Sequence, residues 1–260
     1  MHQVKALVNY RREGAIASIT MDDGKVNVLS LPMLSELNDA FDQAATDNAV
    51  VILTGRDGVF SSGFDLTVLR AGGFASYTMI RAGFETAERI LSFPTPVVMA
   101  CSGHAIAMGA FLLLSGDYLI GAAGTYRLAA NEVAIGLTMP RAAIELLRAR
   151  LAPSYVNRAI TLAEPFTPSN AVESGFLDLV VEPAELPPIA RQVADSLTAL
   201  DMPAHQASKL RARALTLDTL RRAIAEDTAG LRAPGQPTGD QSERRSDTLT
   251  HDAETEATHP

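Results

Sequence analysis

Cysteine is nearly absent from this 260-residue chain, in which Cys101 stands alone. That excludes an internal disulfide, and the lack of any Cys/His cluster at zinc spacing makes a reducing compartment and a metal-free site the expectation. Cys101 itself lies in an apolar run and is expected to pack in a core strand. Long hydrophobic runs are missing too: the most apolar stretch, 105–114, is about half of the ~20 residues a membrane span needs, and it reads as a buried helix. Positive charge is in deficit, with a formal net charge of −8. This argues against nucleic acid or an anionic membrane as partner. A small anionic ligand needs only a few local donors, which Lys25, Arg56 and the Lys209/Arg211/Arg213 group can supply. The N-terminal segment turns polar before a signal-peptide core could form, so a cytoplasmic protein is expected.

Several motifs are absent as well. No G-x-G-x-x-G follows the first strand-like run, and neither a P-loop nor a G-x-S-x-G nucleophile elbow occurs. A serine hydrolase would have to use Ser61 or Ser62, with His104 or His205 as base, and a lone histidine more often satisfies a local hydrogen bond than catalyses.

The chain is 47% hydrophobic, enough to bury a sizeable core in one large domain, alone or with a small appendage. Runs at 4–9 and 15–21, separated by a polar turn at 11–14, predict an opening hairpin. Ser30 reads as an N-cap, with Pro32 in the first turn and Leu34, Leu37, Phe41 and Ala44 on one helical face. Wholly apolar strands are predicted at 50–54 and 97–101, with another strand at 118–121 and helices at 76–91 and 108–115. That βα alternation fits an α/β layered or spiral arrangement with a parallel sheet. Beyond 141 the pattern is helical apart from a strand at 179–181, with helices expected at 189–200 and 204–231. The domain plan is a core at 1–184, a helical region at 185–231 and a polar tail at 232–260, whose composition predicts disorder.

Three segments can carry chemistry. Gly55 to Leu66 and Cys101 to Phe111 are glycine-containing turns that each follow an apolar strand and precede a helix. Unpaired backbone N–H groups at such turns can hold an oxyanion or phosphate. The same glycines equally fit ordinary loops or close helix packing. The third segment, 126–137, carries Glu132 with apolar neighbours and no nearby basic partner, the setting that raises a carboxyl pKa and suits a proton shuttle.

Phe60-Ser-Ser-Gly-Phe-Asp-Leu66, Ser102-Gly-His-Ala-Ile-Ala-Met-Gly-Ala110, Asp117 and Asn131-Glu-Val-Ala-Ile-Gly136, in this order and spacing, resemble the crotonase, or enoyl-CoA hydratase/isomerase, superfamily over residues 4–231. The resemblance implies a crotonase-like spiral of ββα repeats with a C-terminal helical region that builds a homotrimer or a dimer of trimers. It implies an acyl-CoA substrate, with coenzyme A as part of that substrate and no separate cofactor. The thioester oxygen would be held by the N–H groups of Phe64 and Met108, with Glu132 as the acid–base residue. Lys25, Asn27, Val28, Phe60, Gly63, Asp65 and Leu66 match the CoA-contacting segments. Lys209 matches loosely a lysine that meets nucleotide phosphates.

Ordinary hydratases of this superfamily carry a second glutamate where this chain has Phe111. One carboxylate suffices to move a proton between carbons two bonds apart, and the pattern is similar to the Δ3,Δ2-enoyl-CoA isomerases. The sequence therefore leads to an expectation of 3-enoyl-CoA to 2-enoyl-CoA isomerisation. A single-glutamate hydratase and a noncatalytic acyl-CoA-binding protein stand as alternatives. Phe64 and the Ala107-Met108-Gly109 run depart from the smaller residues usual at these turns, and the Ala71 to Phe74 segment is expected to line the acyl pocket.

Overall fold

The computed structural model describes residues 6–229; the tail assigned to 232–260 and the start of the first predicted strand lie outside that range. The chain opens with a hairpin, β1 (Val8–Glu13) and β2 (Ile16–Met21), whose register pairs Glu13 with Ile16. The turn is thus the Gly14-Ala15 pair, with Gly14 at φ 63°, and the first strand lies about four residues later than its apolar residues suggest. Arg11 and Arg12 belong to the ladder because β1 is the edge of its sheet, where charged side chains can stand in water.

Beyond the hairpin the chain repeats one unit. β4 (Val50–Thr54), β7 (Val97–Cys101) and β9 (Tyr118–Ala122) enter a six-stranded sheet in the order β1-β2-β4-β7-β9-β11, where β11 is Leu179–Val181. Each of those three strands is succeeded by a short one, β5 (Gly58–Ser61), β8 (Gly103–Ile106) and β10 (Leu128–Ala129), and these form a second sheet in the order β10-β8-β5. The short β3 (Val28–Leu29) and β6 (Gly63–Phe64) pair separately. Because both main sheets take their strands in the same succession, the backbone winds as a spiral of ββα turns.

Helices complete the turns: α1 (Leu31–Thr46), α2 (Leu66–Ala71), α3 (Gly73–Leu91), α4 (Met108–Leu114), α5 (Arg141–Arg150), α6 (Pro153–Leu162) and α7 (Pro168–Ser174). In α1 the Ser30 hydroxyl accepts from Met33 N–H, and Met33, Leu34, Leu37, Ala40, Phe41 and Ala44 are buried, the capped amphipathic helix that its spacing predicts. β7 is buried along its whole length, Cys101 included. Such a strand is apolar throughout because it is covered on both faces.

The C-terminal helices are α8 (Leu186–Leu197), α9 (Met202–Ala212) and α10 (Ala214–Ala229). They pack on the body of the chain, α8 against β4, β7 and β9 and α10 against α3 and α5. The single helix expected from 204 onward is broken at Arg213. That residue's guanidinium turns inward to Leu91 O at 3.0 Å and Asp117 Oδ1 at 3.0 Å, and the break lets α10 lie along α3. Among the described residues no helix is long and apolar enough to cross a membrane.

Candidate active site

The spiral brings the three sequence segments together. Phe64 ends β6, Met108 begins α4 after β8, and Glu132 lies just past β10. A methyl group added to Gly63 would lie 2.8 Å from Ile106 O and 3.1 Å from Met108 N, so the first two turns touch. Only a glycine tolerates this approach together with φ 86°. Gly109 is equally constrained, since a Cβ there would strike Ser61 O. The two glycine segments differ from the plain strand-to-helix turns read from the sequence, because each contains a short strand of the second sheet.

As the first residue of α4, Met108 has no intrahelical acceptor for its N–H, and its N-cap residue Ala107 offers no side-chain acceptor. Ala107 itself sits at φ 50°, a left-handed conformation uncommon outside glycine and typical of functional turns.

Phe64, Leu66, Phe111, Asn131 and Glu132 face one cavity of about 520 Å³, within the range of small-molecule sites. Phe84 stacks on Phe111 with ring centroids 6.1 Å apart and meets Phe64 edge-on at 6.3 Å. These rings make one end of the cavity strongly apolar. Glu132 is 7% exposed, and its Oε2 is sealed from water without a hydrogen-bond partner. Burial, with no basic side chain to offset it, pushes its pKa up to about 7. Asn131 Oδ1, also sealed, has no partner either.

A larger cavity of about 650 Å³ lies elsewhere, between the six-stranded sheet and α8, lined by Ser18, Thr20, Thr54 and Ser102 among others. Its acids, Glu13 and Asp57, are exposed. Size notwithstanding, the smaller cavity is the candidate site, because of the two it is the one that encloses a buried carboxyl beside the glycine turns.

The residues matched to CoA contacts divide sharply. Lys25 is exposed, and Leu66 and Phe64 border the cavity. Val28 N–H donates to Asp23 Oδ2, and Asp65 caps α2 by accepting from Thr67 N–H and Val68 N–H. Asn27 and Phe60 are not free to meet a ligand through their side chains. Asn27 is fully buried, its Nδ2 donating to Met21 O and Phe60 O, and the Phe60 ring is in the core. Asn27 fixes the loop instead, at φ 51°. Asp23 completes that loop: burial would raise its pKa, yet backbone bonds from Val28, Asn27 and Lys25, with Arg56 nearby, outweigh this and lower it.

Lys209 is a correction of the same kind. It is buried, and its Nζ lies 2.7 Å from Asp117 Oδ2, so it ties α9 to the core and offers no ammonium to phosphates. The serine–histidine alternative lacks a base at the cavity, which Ser62 borders but neither His104 nor His205 does. Ser61 Oγ donates to Asn27 O, His104 Nδ1 accepts from Arg127 N–H, and His205 sits by Asp117, Lys209 and Arg213. Among the described residues no group of three or more His, Cys, Asp or Glu could hold a metal ion. Sequence reasoning missed Asp23 and the unpartnered acceptor of Asn131. The latter was visible as the one polar neighbour of Glu132 within an apolar stretch.

Comparison with known proteins agrees with this geometry. The family model described as enoyl-CoA hydratase/isomerase matches residues 11–244. An enoyl-CoA hydratase from Mycobacterium marinum is 46% identical, with 87% of this chain and 100% of that one covered at a TM-score of 0.84. The human mitochondrial Δ3,Δ2-enoyl-CoA isomerase is 27% identical, with 86% and 90% covered at a TM-score of 0.81. The carnitinyl-CoA dehydratase of Escherichia coli is 28% identical over 189 residues, 72% of each chain. The three names differ in reaction while sharing CoA thioesters. The fold, the paired glycine turns and the family match leave one conclusion: this chain belongs to the enoyl-CoA hydratase/isomerase family of the crotonase superfamily.

Proposed function

We propose that the chain is an enoyl-CoA isomerase that converts 3-enoyl-CoA to 2-enoyl-CoA, with Glu132 as its sole proton shuttle. The observation that carries this reading is a buried carboxyl, with no cation and no partner for its Oε2, in a cavity that Phe111 also lines. The ionised Glu132 takes a proton from C2, the electron pair spreads over the thioester as a dienolate, and the same carboxyl returns the proton at C4. Hydrogen leaves and re-enters the substrate, so no oxidant, reductant or cofactor is consumed.

The dienolate oxygen is held by the N–H groups of Phe64 and Met108. Donors of this kind are already aimed and need no reorganisation, and losing one costs roughly 10²–10³ in rate. A pKa of about 7 keeps a usable share of carboxylate near neutral pH and still makes it a competent acid once protonated. The apolar Phe111 side chain excludes the second carboxyl that would orient an attacking water. Lys25 meets the phosphates of CoA, the backbone near Val28, Gly63 and Asp65 borders the pantetheine, and Leu66 packs on it. The assembly is a homotrimer or a dimer of trimers in the cytoplasm, where the buried thiol of Cys101 stays reduced.

The test offers 3-enoyl-CoA and crotonyl-CoA side by side. The wild type should isomerise the first and leave the second almost unhydrated, and Glu132→Gln should lose isomerisation by roughly 10²–10⁴-fold with acyl-CoA affinity retained. Brisk hydration of crotonyl-CoA, or turnover surviving in the variant, contradicts the reading. Tight binding without either reaction would instead favour the noncatalytic binder.

A further inference from the structure

The far end of the Glu132 cavity carries two polar side chains among apolar ones. Ser76, Ile80 and Phe84 all border it, and their spacing of four places them along one face of α3. At 1.5 Å per residue, Ser76 lies about 12 Å from Phe84 along the helix. Phe84 marks the reacting end, since it touches Phe64 and Phe111. Two helical turns away the wall carries Ser76 and Arg70 beside the aliphatic Leu69, so a donor pair stands where a methyl-ended chain needs none.

Neither residue is used by the fold. Ser76 is 3% exposed, yet its hydroxyl makes no side-chain hydrogen bond among the described residues. Its oxygen is not sealed from solvent, so it is open to the cavity and can donate into it. Arg70, in the last turn of α2, is exposed at the rim of the cavity and has no acidic partner among the described residues, a state that of the described arginines only Arg127 and Arg211 share. Those two do not border the cavity. Gly72, at φ 65°, makes the bend between α2 and α3 that turns Arg70 and Ser76 toward the same volume.

We propose that this end of the cavity binds a carboxylate at the ω-end of the acyl chain, so that the preferred substrates are CoA monothioesters of medium-chain dicarboxylic acids. Arg70 supplies a planar pair of donors to the carboxylate, and Ser76, on α3, adds a third. The inference rests on the acyl-CoA reading of the cavity and names the substrate class for it.

Calorimetric titration with two unreactive thioesters separates the two levels of claim. Octanoyl-CoA and the CoA monothioester of octanedioic acid have chains that reach about two helical turns. The wild type should bind the carboxyl-ended thioester about tenfold more tightly, the scale of a hydrogen bond to a charged group. Arg70→Gln should erase that preference and Ser76→Ala should reduce it, both leaving octanoyl-CoA affinity unchanged. Equal binding of both thioesters by the wild type, or equal weakening of both by Arg70→Gln, overturns the inference while leaving the acyl-CoA reading intact. If neither thioester binds, both claims fall.

Discussion

Asp117 and Glu132 are both largely withdrawn from water, yet the fold treats them in opposite ways. Asp117 receives Val97 N–H at 2.7 Å, Lys209 Nζ at 2.7 Å and Arg213 Nη2 at 3.0 Å. Burial pulls the Lys209 ammonium below its ordinary pKa, and Asp117 opposes that shift. Every lone pair that matters is answered, and the result is a rivet joining the last helices to the strands. Glu132 has neither cation nor donor for its Oε2, and its proton is held to about pH 7. A buried acid that is fully partnered is a structural element, whereas one left unpartnered beside a cavity keeps its proton chemistry available.

Separate substitutions should pull these roles apart. The largest effect belongs to Glu132→Gln, which should remove isomerisation by roughly 10²–10⁴-fold in steady-state kinetics while circular dichroism stays unchanged. Next is Lys209→Met, which leaves Asp117 short of one partner. It should cost about 3 kcal/mol, seen as a lowered thermal midpoint, with kcat per folded molecule preserved. If Lys209→Met instead abolished activity without loss of stability, the division between rivet and shuttle would be wrong.

A third prediction uses pH. The folded state keeps the Glu132 proton to about 7, whereas an unfolded glutamic acid releases it near roughly 4.3. The folded state therefore binds more protons across that interval, and the stability this carboxyl contributes is complete below it and lost as pH rises through 7. Glu132→Gln escapes that loss. It should match the wild type at about pH 4 and exceed it at about pH 8 by an amount on the order of 3 kcal/mol, measured by denaturant titration. The smallest effect is expected of Lys25→Ala, a surface cation whose loss should weaken acyl-CoA binding only a few-fold and more visibly at low salt; unchanged affinity at all ionic strengths would remove Lys25 from the site.

Much of the frame was legible because local sequence decides it. Strand β7 is wholly apolar, and β4 apolar up to Thr54, since they are covered on both faces, and α1 announces its start through Ser30 and Pro32. Glu132 stood out for the same reason, a carboxyl in an apolar stretch. Features that depend on distant partners were not legible. Asn27 looks like a loop residue until its amide is placed on Phe60 O, 33 positions away. Lys209 looks like a surface cation until Asp117, 92 positions earlier, claims it. The short strands of the second sheet owe their pairing to partners on neighbouring turns of the spiral, and two to four residues carry too little periodicity to show it.

The pH dependence of kcat/KM for 3-enoyl-CoA isomerisation probes the unpartnered carboxyl most directly. A single ionisation is expected on the acid side with its midpoint near 7, below which the rate falls about tenfold per pH unit. A midpoint near the ordinary glutamate value, or a flat profile through this range, would contradict a buried Glu132 acting as the base.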